Sequence, residues 1–314
     1  MIAAACQKAG LAAQLDKALL AALKHSKGSR EPQLVWKLFC SPSGLACWVK
    51  ELSALAPYGI RARYDAVFVH QRPYVEFGTK WSSRCELADV LLVVSEWTTA
   101  TPVPALSKRS ALLLQAKVDL WPPAVGDKQF RLFSAWPKFR FKSSRFRFSH
   151  PPLHRKFKGT APHRRAQYLV LDTVMPALAV RMASLAPQAA PDSLGTVVVD
   201  LLTGATKSRI ANHDGPKHSD WSRTVWDLLV GIADTPVPPK QVGATGPRGI
   251  GDDLLSFAHG FMCPVCETFG LLCHDWNVPP PESRGEDPPQ FDGLAVVRVD
   301  LLSGEPPSVP RTAR

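Results

Sequence analysis

Asp89, Gln115 and Lys117 stand at the ends of two strongly apolar runs. Asp89 opens Val90-Leu91-Leu92-Val93-Val94, and Gln115 and Lys117 close Ser110-Ala111-Leu112-Leu113-Leu114. Strand side chains alternate with a period of two, so Asp89 shares a face with Leu91 and Val93, and Gln115 and Lys117 share one with Leu113. If the runs form an antiparallel hairpin across a loop of about 95–109, Asp89 lies opposite residues 115–117 and the polar trio gathers at one end. A carboxylate, an amide oxygen and the Ala116 carbonyl suit Mg²⁺, which prefers oxygen ligands. A metal held there polarises a phosphate and generates a hydroxide-like nucleophile. Lys117 would position the attacking water or stabilise charge on the transition state. Glu86, three residues before Asp89, is a candidate for a second metal or for orienting water, and Glu76 and Glu51 are further candidates. The same residues also fit a plainer role as polar caps on two core strands.

An aspartate leading a hydrophobic strand, then an apolar strand ending in Gln-x-Lys, resembles the restriction-endonuclease-like PD-(D/E)xK nucleases, in the variant where glutamine replaces the acid. The resemblance covers roughly residues 40–170. It implies an α/β (α+β) fold with a mixed central sheet flanked by helices, Mg²⁺ as cofactor, and hydrolysis of phosphodiester bonds in nucleic acid. Asp89 takes the metal-binding position, Gln115 the variable acid position and Lys117 the lysine position. The helix at 44–56 would precede the sheet, with Glu51 as a possible helix carboxylate. A non-catalytic nucleic-acid-binding protein that keeps this fold is the alternative, and defence or mobile-element biology is one setting.

The chain has 314 residues, 45% hydrophobic, with a formal net charge of +11. That length accommodates a sizeable core, and the charge favours a polyanionic partner. DNA stands ahead of RNA as that partner. Between Lys138 and Arg165 lie ten Lys or Arg residues and no acid, interleaved with Phe139, Phe141, Phe146, Phe148 and Phe157. Strict alternation predicts a half-buried strand with phenylalanines inside and Lys138, Arg140, Lys142, Arg145 and Arg147 facing out toward phosphates. His150, His154 and His163 read as surface residues.

Cys6, Cys40, Cys47 and Cys85 sit among apolar neighbours and read as free thiols, which points to a reduced, cytoplasmic setting. Cys263-Pro264-Val265-Cys266 is a C-x₂-C half-site, and Cys273 with His259 or His274 would complete a structural zinc site. Adjacent Cys273 and His274 do not easily share one ion, which favours His259. No apolar stretch of the roughly 18 residues that a membrane span needs is present, and no signal peptide or membrane partner is expected. No phosphate-binding G-x-x-x-x-G-K-[ST], G-x-S-x-G or H-E-x-x-H pattern occurs.

These residues need elements to hold them. The spacing of Leu11, Leu15, Leu19, Leu20 and Leu23 predicts a helix over 11–24. A break follows at 26–32, then a helix at 44–56 and strands at 61–69, 86–95, 109–118 and 166–171. Helices are expected at 128–136 and 223–233, and Thr196–Leu202 reads as a strand. Leu201-Leu202-Thr203-Gly204 recurs as Leu301-Leu302-Ser303-Gly304, after Val-Val-Val-Asp and Val-Arg-Val-Asp, which fits two edge or hairpin strands ending in similar turns. Residues 235–251 read as a Pro/Gly-rich loop and the last ten residues as a frayed terminus. The expected division is an N-terminal helix at 1–30, a nuclease-like core at 31–172 with the basic segment at 138–165, and a C-terminal α+β region at 173–314.

Overall fold

A computed structural model describes residues 1–24, 26, 28–69, 73–98, 105–118, 127–142, 154–157, 165–172, 177–181, 191–204, 209–210, 219–233 and 294–303. The two apolar runs become β4 (Val90–Thr98) and β5 (Ala105–Val118), antiparallel neighbours with Val90 opposite Leu114. Both strands are apolar on both faces because both faces are covered. Val90, Leu92, Val94, Leu112, Leu114 and Ala116 face one cluster of buried side chains, while Leu91, Val93, Ala111 and Leu113 face another. Burying each leucine or valine contributes about 1.5–3 kcal/mol, so these two strands anchor both layers.

Six other strands extend the sheet. The order is β1 (Ile60–Val69), β12 (Leu294–Ser303), β4, β5, β8 (Ala166–Asp172), β9 (Ala177–Arg181) and β10 (Asp192–Ser193), with β11 (Arg209–Ile210) beside the first half of β5. β12 runs parallel to β4, and β8 runs parallel to β5; the other pairs are antiparallel. The fold is therefore mixed α/β. β8 lies within the expected core at 31–172, whereas β9, β10, β11 and β12 come from beyond it and extend the same sheet.

One face carries α1 (Ile2–Lys8), α2 (Leu11–Ala22), α3 (Glu31–Phe39), α4 (Pro42–Ser53) and α6 (Leu194–Thr203). The leucine stripe of α2 behaves as its spacing predicts: Leu11, Leu15, Leu19 and Leu23 are buried. The other face carries α5 (Lys128–Ala135), α7 (Asp220–Ala233) and a four-stranded sheet of order β3 (Ser83–Glu86), β2 (Tyr74–Phe77), β6 (Phe139–Phe141) and β7 (His154–Arg155). Among the described residues no helix is long and apolar enough to cross a membrane.

Two sequence expectations need correction. The break expected at 26–32 ends early, because α3 starts at Glu31 with Pro32 in its first turn, where the missing N–H costs no helical bond. The strand expected at Thr196–Leu202 is helix α6. Ser193 caps it by accepting the Thr196 N–H at 3.1 Å, and Gly204 ends it at φ 67°. Leu194, Val197, Val198, Leu201 and Leu202 then form a buried stripe at helical spacing. Gly195 packs so closely against α2 that a Cβ would lie 2.1 Å from the Ala12 carbonyl oxygen, and its N–H donates to Asp16 at 2.7 Å. The recurring motif is thus one helix and one central strand, not two edge strands.

Candidate active site

Asp89 sits at the entrance to β4, between two strands. Its N–H donates to the Leu114 carbonyl at 3.0 Å, and its carbonyl accepts the Ala295 N–H at 2.8 Å. This backbone clamp leaves the side chain little choice of direction. The Val90–Leu114 register sets Asp89 opposite Gln115 on the face that α5 covers. Asp89 Oδ2 accepts the Ala116 N–H at 2.7 Å and also accepts the Gln115 amide.

Gln115 is buried, and its oxygen accepts the side-chain amide of Gln129. Gln129 is held in turn by the start of α5, where Asp127 Oδ1 accepts the Gln129 N–H at 2.7 Å. The Gln129 amide also donates to the Glu86 carbonyl at 3.2 Å, tying β3 to the network. Lys117, two residues past Gln115, places Nζ 3.9 Å from Glu31 Oε2. Both side chains of that pair are partly exposed, so it contributes little to stability.

The electrostatics of Asp89 follow from this placement. Burial pushes its carboxyl well above the usual carboxylate range, and the nearby charges of Glu86 and Glu31 push the same way. The Ala116 N–H and the Lys117 ammonium oppose that shift without reversing it. Glu31 and Glu86 act on Asp89 through charge rather than forming a tight ligand shell with it. Among the described residues no group of three or more His, Cys, Asp or Glu side chains is arranged to hold a metal ion.

The sequence pattern therefore brings Asp89, Gln115, Lys117 and Glu86 into one neighbourhood, and two residues join them that the sequence reading missed. Glu31 carried a readable signal, since an acid followed by proline is a common helix start. Gln129 carried only half of one. Asp127 is a recognisable cap, but nothing local says that α5 lies against Gln115 and Glu86. Glu51 and Glu76 have other partners: Glu51 lies 3.9 Å from Lys50 on α4, and Glu76 pairs with Arg140 at 2.9 Å.

The basic segment divides. Phe139 and Phe141 are buried while Lys138 and Lys142 are exposed, as the alternation predicts. Arg145 and Arg147 lie outside the described residues, as do His259, Cys263, Cys266, Cys273 and His274. Cys6 and Cys85 are buried free thiols, with burial as the main cause raising them to about 11 and about 12. Comparison with protein-family models, with curated proteins and with solved structures returns no match to this chain.

Proposed function

We propose that the chain is a Mg²⁺-dependent nuclease with a restriction-endonuclease-like core. The observation that carries this reading is the antiparallel register of β4 and β5, which faces half-buried Asp89 with buried Gln115 and leaves Lys117 two residues further along the same side. The strand directions add support. β4 and β5 are antiparallel, β8 returns parallel to β5, and α5 lies between those two strands in sequence. This matches the mixed, helix-flanked sheet that the resemblance implies, with β12 as an added strand between β1 and β4.

The donor set fits a hard cation. Asp89 contributes a carboxylate that burial makes unfavourable as a bare charge, and a cation would relieve that cost. A half-turn of the Gln115 amide about its last bond exchanges its nitrogen and oxygen and sets an oxygen beside Asp89 Oδ2. Gln129 can follow by the same exchange to accept from Gln115, giving up its bond to the Glu86 carbonyl. Asp89 and Gln115 would hold the metal, with Glu86 or Glu31 acting through water. Mg²⁺ bound there supplies Lewis-acid polarisation of a phosphate oxygen. Lys117 places a positive charge where negative charge grows on that phosphate, and Glu31 steadies the ammonium.

A non-catalytic nucleic-acid-binding protein is the second reading, and one observation favours it. Gln115 brings no charge, and its amide is engaged by Asp89 on one side and Gln129 on the other. Lys117→Ala separates the two. The nuclease reading expects a fall in Mg²⁺-dependent degradation of labelled DNA of about a hundredfold or more with binding nearly unchanged. Degradation at the wild-type rate in that variant, or none by the wild type, would contradict it.

A further inference from the structure

Resting on the nucleic-acid reading, we propose that the outer face of the β3–β2–β6–β7 sheet holds an unpaired nucleic-acid strand, stacking its bases on Trp81 and Tyr74. Alternation gives this small sheet two unlike faces. Val75, Phe77, Cys85, Phe139 and Phe141 point inward and are buried. The phenylalanines of β6 are therefore unavailable for stacking on bases. Outward, the register lines up Glu86 with Tyr74 in one row and Arg84, Glu76, Arg140 and His154 in the next. Lys138 and Lys142 flank Arg140 on the same strand side and are exposed, as are Lys80 and Arg84.

Two aromatic side chains belong to this basic face, and each already carries a guanidinium. Arg84 lies over the Tyr74 ring at 4.2 Å, and Arg140 lies over the Trp81 ring at 4.8 Å. Such stacks extend a flat π surface, and unpaired bases stack on both aromatic rings and guanidinium planes. Glu76 accepts the Arg140 Nε–H at 3.0 Å, which fixes the guanidinium plane beneath the indole.

The chain also adopts an uncommon backbone to present Trp81. Lys80 and Trp81 stand consecutively at φ 51° and φ 60°, a left-handed conformation disfavoured for bulky L residues. Retained strain of this kind concentrates at binding and catalytic sites. Against Lys80, Arg84, Lys138, Arg140 and Lys142 stand Glu76 and Glu86, so the face is cationic and complementary to a phosphate backbone. It also adjoins the candidate active site, because Glu86 ends β3 and its charge acts on Asp89. A duplex hides the faces of its bases, so stacking selects a single strand, whereas the lysines would hold either form.

The test is fluorescence anisotropy in EDTA, with labelled oligothymidylate and a duplex of the same length, on wild type, Trp81→Ala and Trp81→Phe. Trp81→Ala should weaken single-strand binding about tenfold or more, the scale of one lost stacking platform, with duplex binding nearly unchanged. Trp81→Phe should restore most of the loss. Tyr74→Ala should repeat the pattern, while Lys138→Ala with Lys142→Ala should weaken both forms together. Equal losses on single strand and duplex, no loss on single strand in a folded Trp81→Ala protein, or no nucleic-acid binding by wild type would overturn the proposal. Binding is read without metal, so loss of this proposal leaves Mg²⁺-dependent cleavage as a separate result, and absent cleavage leaves the binding result intact.

Discussion

At the scale of single residues, Asp89 is a group the fold holds at a cost. Its folded pKa lies above the ordinary carboxylate value, so between those two values the folded state binds more protons than the unfolded state. Stability then falls as pH rises through that window, the reverse of a salt-bridged aspartate. In EDTA, the thermal midpoint of wild type should drop as pH is raised from the ordinary aspartate range toward neutrality. Asp89→Asn should flatten that dependence and melt no lower than wild type near neutral pH. Added Mg²⁺ should raise the wild-type midpoint and leave the asparagine variant unmoved, because only a state that binds the ion gains stability from it. Identical pH profiles for the two proteins would remove the argument from burial.

At the scale of elements, the recurring motif is the clearest measure of how much was legible. Val197-Val198-Val199-Asp200-Leu201-Leu202 is helix, and Val297-Arg298-Val299-Asp300-Leu301-Leu302 is strand. Composition alone favours a strand for both. The first is turned by its ends, a serine cap and a left-handed glycine, and by a groove on α2 that accepts Gly195. The second is held by partners on both sides, β1 and β4, and its Arg298–Asp300 ion pair at 2.6 Å satisfies charges that a central strand would otherwise strand in the core. None of those partners is readable from the hexapeptide itself. By contrast β4, β5 and β8 were legible, because apolar runs bounded by polar residues carry their own signal. Beside the small sheet, Arg155 of β7 is buried against Asp227 of α7. Burial lowers the arginine's pKa while Asp227 works against that shift. Asp227→Ala should therefore lose about 3–5 kcal/mol by chemical denaturation, since it removes the carboxylate against which this cation is buried. Replacing both residues with apolar ones of similar volume should recover most of it. A loss under about 1 kcal/mol in the single variant would mean that Arg155 finds water or another partner.

At the scale of the whole molecule, the sheet is assembled from distant parts of the chain, and the site is assembled with it. Asp89 is clamped by Leu114 on one side and by Ala295 on the other, so a segment more than two hundred residues away in sequence fixes the position of the aspartate. Glu31 and Gln129 arrive from opposite layers, α3 on one face and α5 on the other. This is why Asp89, Gln115 and Lys117 could be read from two strands, while the arrival of Glu31 and Gln129 beside them could not. The net charge of +11 gives the molecule a long-range attraction for polyanions, which the small sheet's outer face concentrates next to the site. On the proposed reading, Asp89 makes this molecule a hydrolase of nucleic acid. The most direct measurement is the rate of Mg²⁺-dependent cleavage of a labelled single-stranded substrate by wild type and by Asp89→Asn at matched folded concentrations. Cleavage by wild type that needs the metal, with a fall of about a hundredfold or more in the variant, is the predicted result. Equal cleavage by both, or none by wild type with the metal present, would contradict it.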